Sequence, residues 1–306
     1  MNKTNVRNIS VVILCAIIYA FSVPLLKLFG NDIPTLFKSS LMYMGAVLAC
    51  LIYILIQKFI FKKKFITKVD KKDILNLSIV ILTDIVAAIS LMYGLSKVKG
   101  DTASLLMSFQ TVFSMLIAVI FFKEKVGIYG WLGLLSIFGA CLVISFKGNG
   151  FEFDYNNLFI ILPVLSWSIG NNFSKKVKLD SEVITLIKSI FVSIILLIIS
   201  LILKEHESIN YSNDYLIIPV IGFFCYGIAI ILLILSCKWM GAGIASCYNG
   251  ISPVIGALLS IIILHEEVYL TLYISIGLVL LGIVLCTINE HKKIKKEELL
   301  KENTSK

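Results

Sequence analysis

Three charged residues lie inside long apolar segments, where an isolated charge is costly. Asp84 lies at the midpoint of the third such segment, Lys38 one turn inside the second and Lys188 two turns inside the seventh. A charge at the centre of a membrane helix costs about 2.5–3.5 kcal/mol on insertion scales. Asp84 either binds a proton or a cationic ligand group or fixes helix packing through hydrogen bonds. The two lysines either carry charge near the mouths of a pathway or extend to the membrane surface.

Uncharged polar residues follow one face of two further segments. At 100° per residue, Ser104, Ser108, Gln110, Thr111 and Ser114 lie within about half the circumference of the fourth segment. Asn249 and Pro253 lie on the corresponding face of the ninth. Polar or small faces of this kind either pack helices closely or line a cavity. We expect these faces to pack helices at some depths of the membrane and to line a cavity at others.

The sixth segment is unusually polar for an apolar helix. It contains Trp167 at mid-span, followed by Asn171 and Asn172. Trp167 either packs in the core or contacts a ligand. Together with Tyr93 of the third segment, these residues are predicted to border a central cavity.

The elements that must position these residues are membrane helices. The chain of 306 residues is 58% apolar and 15% charged, with a mean hydropathy of +0.94, so that a soluble domain could not bury its apolar surface. Runs of 18 or more apolar residues exceed a barrel strand. The sequence predicts an all-α integral membrane protein with ten transmembrane helices, numbered helix 1 to helix 10, at about 9–28, 34–56, 73–95, 102–122, 127–146, 157–174, 182–203, 215–236, 243–264 and 269–288.

The basic residues predict the orientation of these helices. The net charge is +9, and most Lys residues flank apolar segments, which favours membrane orientation over nucleic-acid binding. The connections on the side of the two termini hold 21 basic residues, and those on the opposite side hold 5. We therefore expect both termini in the cytoplasm of a multi-pass plasma-membrane protein, and we expect a bacterial source.

Catalytic and metal-binding patterns do not occur in the sequence. The seven cysteines lack CxxC spacing, and the three histidines show no ligand spacing. We expect no metal, no cofactor and no enzymatic activity.

An internal repeat relates the two halves of the chain. Residues 101–126 align with 243–268 without a gap, and Lys38 aligns with Lys188. Each half has five spans, an odd number, so the second half must enter the membrane inverted. The predicted units are 1–150, 151–290 and a basic cytoplasmic tail, 291–306. Inverted repeats of this kind are typical of alternating-access transporters.

The whole chain resembles the drug/metabolite transporter superfamily, in its ten-helix EamA-type branch. The features that carry this resemblance are the segments ending in Glu124 and Glu266, the glycine-rich helices after them, the basic Lys38 and Trp167. Two features depart from the family pattern. Lys38 replaces the common Arg, and helix 4 has no proline near Gln110, which predicts that it lacks the kink expected at Pro253.

The resemblance implies a secondary transporter of a small metabolite, often an amino acid or related compound, and favours export. Two alternatives stay open, a multidrug or organic-cation efflux carrier and a non-transporting receptor or assembly subunit. The expected partners are a small-molecule substrate, the lipid bilayer and a coupling proton or counter-substrate, in a monomer or homodimer.

Overall fold

A computed structural model describes residues 3–65, 69–122, 126–145, 154–205, 214–240, 245 and 248–304, and every regular element within them is helical. Seven helices in these ranges are long and apolar enough to cross a membrane. Two further apolar helices, Ile128–Ile144 and Ile251–Leu264, are shorter. With the more polar helix Leu158–Ser174, ten helices correspond to the predicted spans.

The ten helices follow the predicted order, with three of them in pieces. Their bounds are Lys3–Ala20 and Ser22–Leu28 (helix 1), Thr35–Phe59 (helix 2), Lys71–Lys97 (helix 3), Gly100–Leu106 and Phe109–Phe122 (helix 4), Ile128–Ser145 (helix 5), Leu158–Ser174 (helix 6), Ser181–Ile202 (helix 7), Asp214–Ile221, Gly222–Ile228 and Ala229–Met240 (helix 8), Ile251–Leu264 (helix 9) and Leu270–Thr304 (helix 10).

Helix 10 continues far beyond the predicted end of its span. It reaches Thr304, so most of the segment predicted as a tail is helical. At 1.5 Å per residue its 35 residues extend for about 52 Å, which exceeds a hydrocarbon core of about 30 Å.

Helix 4 is interrupted although it has no proline. At Met107 and Ser108 the backbone turns, and the N–H of Ser108 donates to the carbonyl of Leu105, three residues back. The prediction that helix 4 lacks a kink is wrong, because a local change to this tighter bonding pattern bends the backbone without proline. Gly250, which lies 142 residues after Ser108, is likewise a turn residue, and it interrupts helix 9 between helical residues 248–249 and the piece that begins at Ile251.

Helices 2 and 7 cross in opposite directions. The Ser40 hydroxyl donates to the carbonyl of Ser193 at 3.0 Å, and the Ser193 hydroxyl donates to the carbonyl of Ser40 at 3.1 Å. Nearer the start of helix 2, the N–H of Phe37 donates to Glu205, beyond the end of helix 7, at 3.0 Å. The start of one helix therefore meets the end of the other.

Helices 4 and 9 are antiparallel in the same way. A Cβ on Gly100 would lie 2.8 Å from Leu264, whereas a Cβ on Gly256 would lie 3.1 Å from Ser104. Glu266, just after helix 9, accepts the N–H of Gly100 at 2.7 Å. This carboxylate caps the start of helix 4.

Helices 5 and 10 form the third such pair. The Ser136 hydroxyl donates to the carbonyl of Leu278 at 2.8 Å, and the Ser275 hydroxyl donates to the carbonyl of Ala140 at 3.0 Å. Helix 3 packs on helix 6 as helix 8 packs on helix 1. Exchanging each helix with its equivalent five positions later preserves all these contacts, so the fold is the predicted 5+5 inverted repeat.

Candidate functional site

A pocket lies where the interrupted helices 4 and 9 meet helices 1, 6 and 8. Among the predicted residues, Gln110, Asn171, Asn249 and Pro253 line it. Interrupted helices at equivalent positions of inverted repeats mark binding sites in transporters, because the turn frees backbone groups at mid-membrane depth. The pocket is therefore the candidate functional site.

The chemistry of the pocket wall is polar but uncharged. Within the described residues, none of the lining side chains is acidic or basic. Sequence reasoning missed several of its polar residues, namely Tyr19, Ser22, Thr111 and Ser252. Such a wall offers hydrogen bonds and no net charge to a ligand.

The free space inside the pocket is small. Its free volume is about 20 Å³, which is enough for about one water molecule. On one side Gly256 fits closely against the Ser104 hydroxyl and the carbonyl of Ala20. The pocket as described is therefore too small for a metabolite.

A cysteine of helix 1 lies beside Asn249. The Cys15 sulfur lies 3.6 Å from Asn249 Oδ1 and 3.1 Å from the carbonyl of Ala229. A buried thiol is a weak donor, and here it joins helices 1, 8 and 9 at the pocket.

Helix 6 is fastened to helix 4 beside the pocket. The Ser168 hydroxyl donates to the carbonyl of Gln110 at 3.2 Å, and the Asn172 amide donates to the carbonyl of Ser114 at 3.5 Å. Asn172 also donates to the carbonyl of Ser168 at 2.9 Å. Asn172 therefore joins the two helices, while its neighbour Asn171 lines the pocket.

An aromatic cluster lies between helices 1, 2, 6 and 8. The Tyr226 ring is 6.0 Å from those of Tyr19 and Tyr43 and 6.3 Å from that of Trp167. Among the described residues, the buried hydroxyls of Tyr43 and Tyr226 have no hydrogen-bond partner. Tyr226 lies in the π-helical segment of helix 8, a feature often found at functional sites. Of the four, Tyr19 alone lines the pocket.

Asp84 and Lys188 form a buried ion pair between helices 3 and 7. Their charged atoms are 2.7 Å apart, and the side chains are 3% and 5% exposed. The prediction that Asp84 is a lone acid and that Lys188 lies near a mouth does not match this geometry. The two residues are distant in sequence, and only the crossing of helices 3 and 7 brings them together.

Lys38 has a different role from its repeat equivalent. Its ammonium donates to the carbonyls of Leu26 at 2.6 Å and Phe29 at 2.8 Å. These carbonyls end the second piece of helix 1, where a cation is favourable.

Two other predicted residues lie outside the pocket. Tyr93 is 44% exposed and packs edge-on against Phe159 at 4.6 Å, so the prediction that it borders the cavity is wrong. The turn of helix 3 directs it outward. Ser108 is buried, and its hydroxyl has no partner among the described residues.

Ion pairs close the end of the bundle where helix 7 begins. Lys63, after helix 2, pairs with Glu182 and Asp180. Partial burial alone would lower the pKa of Lys63, but the two carboxylates outweigh it and raise that pKa. These contacts fasten helix 2 to the start of helix 7.

Known proteins resemble the chain along its length. An uncharacterized transporter of Methanothermobacter thermautotrophicus is 25% identical over 70% of this chain, which corresponds to 64% of that relative. The uncharacterized transporter YvbV of Bacillus subtilis is 26% identical over 66% of this chain and 67% of its own. The chain thus spans just under two thirds of the first of these relatives.

A solved crystal structure shares the fold. It superposes with a TM-score of 0.70 over 91% of this chain and 96% of its own, at 15% identity. The EamA-like transporter family matches residues 7–146 and 155–288, which are the two repeats. The chain therefore belongs to the EamA-like transporter family.

Proposed function

We propose that the protein moves a small polar metabolite, an amino acid or related compound, through the pocket between helices 4 and 9 by alternating access. The observation that carries the proposal is an uncharged polar pocket at the paired helix interruptions. A zwitterion or neutral polar molecule suits such a wall, because it brings no net charge to be compensated.

The symmetry of the two repeats supports alternating access. Exchange of the conformations of the two halves would open the pocket to the opposite side. Export from the cytoplasm is the direction that family resemblance favours, and the lysine distribution supports a plasma-membrane orientation with both termini cytoplasmic.

The Asp84–Lys188 pair is the charge-sensing element of this proposal. The pair is buried between helices 3 and 7. A proton, or an ammonium group of the substrate, would replace Lys188 at Asp84. The side chain of Lys38 would control the opposite opening through helix 1.

Organic-cation efflux is the second candidate function. The aromatic cluster around Tyr226 offers ring faces to a cationic amine, and Asp84 of the buried pair would supply a counter-charge. This candidate predicts displacement of Lys188 by the ligand.

Flux into sealed vesicles containing the purified protein tests both candidates. We expect uptake of at least one amino acid from a panel, and its loss in Asn249→Leu, which keeps the size of a lining side chain but removes its hydrogen bonds. Tyr93→Ala, at an exposed position away from the pocket, is the matched control. Uptake of tetraalkylammonium ions without amino-acid uptake favours the second candidate, and absence of flux for both classes rejects the proposal.

A further inference from the structure

The segment 175–180, which connects helices 6 and 7, buries two apolar side chains in the end of the bundle. Charged residues alternate with Val177 and Leu179 along it, and these two are 2% and 1% exposed. They pack in one apolar cluster with Ile184 of helix 7 and Ile234 of helix 8. Connecting segments usually run over the surface of a protein, so this burial is unusual. We call 175–180 the plug segment.

Ion pairs fasten the plug segment to helices 2 and 3. Lys178 pairs with Asp70 at the start of helix 3, but both side chains are exposed and such a pair contributes little. Lys63, after helix 2, pairs with Asp180 at 3.4 Å and with Glu182 in the first turn of helix 7. The Glu182 side chain is only 3% exposed, so its charge needs this partner. The Lys63 contacts therefore hold the plug segment in the bundle.

The plug segment adjoins the wall of the pocket. Lys238 of helix 8 donates a hydrogen bond to the carbonyl of Leu179, and the residue before it, Cys237, lines the pocket. Ile234 of the apolar cluster likewise follows Leu233, another lining residue. The apolar cluster thus borders the pocket on the side where helix 7 begins, which the lysine distribution predicts to be cytoplasmic.

The equivalent segment at the other end of the bundle leaves a hollow. Lys27 aligns with Lys175 in the repeat, so residues 27–32 correspond to the plug segment. Asn31, which corresponds to Leu179, is exposed. A polar hollow of about 80 Å³ lies between this segment and helices 2 and 3, which is room for several water molecules. The two ends are therefore closed unequally, and the apolar closure is at the plug segment.

We propose that the plug segment is a gate that closes the pocket at the end where helix 7 begins and opens when the Lys63 contacts break. Water and polar ligands do not enter an apolar cluster, because they would lose their hydrogen bonds. Val177 and Leu179 must therefore withdraw before this end opens. The inference rests on the proposed role of the pocket, but its test measures access to the pocket without transport, so each proposal can fail without the other.

The native thiol of Cys237 reports access to the pocket. The full-length protein in detergent is treated with a water-soluble maleimide, and peptide mass spectrometry gives the alkylation rate of each cysteine. Lys63→Gln should raise the rate at Cys237 about tenfold, which corresponds to about 1.4 kcal/mol in the opening equilibrium. Lys64→Gln, at an exposed neighbouring position, should leave that rate unchanged. An unchanged rate in Lys63→Gln overturns the proposal.

A second cysteine and a second variant distinguish gate opening from general loosening. Cys286 is buried between helices 5 and 10, and its rate should stay constant. Leu179→Ala shrinks the apolar cluster without removing an ion pair and should also speed Cys237 alone, whereas Leu158→Ala, half exposed at the other end of helix 6, should not. If Lys63→Gln speeds both cysteines equally, Leu179→Ala decides. An unchanged Cys237 rate there, or equal acceleration of both cysteines, overturns the proposal.

Discussion

The buried pair of Asp84 and Lys188 predicts opposite results for single and double substitutions. Asp84→Asn leaves the Lys188 ammonium, which is only 5% exposed, without its counter-charge at 2.7 Å. Breaking a buried pair in this way costs about 3–5 kcal/mol, whereas replacing both partners by apolar residues is often neutral or stabilising. At about 2 °C per kcal/mol for a chain of this size, the apparent Tm of Asp84→Asn should fall by about 6–10 °C.

The double variant Asp84→Leu with Lys188→Met isolates the functional role of the pair. Thermal unfolding in detergent should show an apparent Tm close to that of the unchanged protein. Vesicle flux between about pH 5.5 and 8 should nevertheless be lost or no longer depend on pH, because no group remains there to exchange a proton or ammonium. A double variant as unstable as the single one refutes the energetic reasoning. Unchanged flux and pH dependence in the stable double variant refute the charge-sensing role.

Further predictions concern packing, capping and exposure. Gly222→Ala places a Cβ 1.9 Å from the carbonyl of Met42 and should abolish the folded species in size-exclusion chromatography, whereas Gly139→Ala meets nothing within 4 Å and should leave the yield unchanged. Lys38→Met removes two hydrogen bonds to the end of helix 1, so the apparent Tm should fall by about 4–10 °C. Each hydrogen bond from a charged donor contributes about 1.5–3 kcal/mol, and relaxation of the helix end reduces the sum of the two contributions. A Tm within 1 °C of the unchanged protein contradicts that capping role. The Tyr93→Ala variant should bind and transport substrate as the unchanged protein does. Reduced flux at normal stability would indicate that Tyr93 borders the pathway.

The sequence predicted the architecture because membrane insertion makes strict demands on the chain. Apolar runs of fixed length and lysines in alternate connections define the spans, and the matched segments around Lys38 and Lys188 define the repeat. The helix order and the inversion are confirmed. The unit boundaries and the functional roles of the site residues stay predictions.

The contacts between distant residues could not be predicted in the same way. The partner of Asp84 depends on which turn of helix 7 crosses helix 3, and periodicity alone does not specify that crossing. For the same reason, the sequence predicted that Tyr93 borders the cavity, whereas it lies on the exposed side of helix 3. Helix 4 bends at Met107 and Ser108 through backbone bonding that has no proline signal. No local sequence pattern predicts that Cys15 lies beside Asn249.

The unequal roles of Lys38 and Lys188 have a consequence for the resting state of the transporter. If the two halves were chemically identical, the inward-open and outward-open forms of the proposed cycle would have equal free energies. They would then be equally populated. Lys188 pairs with a carboxylate, whereas the acceptors of Lys38 among the described residues are two carbonyl oxygens. If the protein works by alternating access, as we propose, its two conformations therefore differ in energy and should be unequally populated.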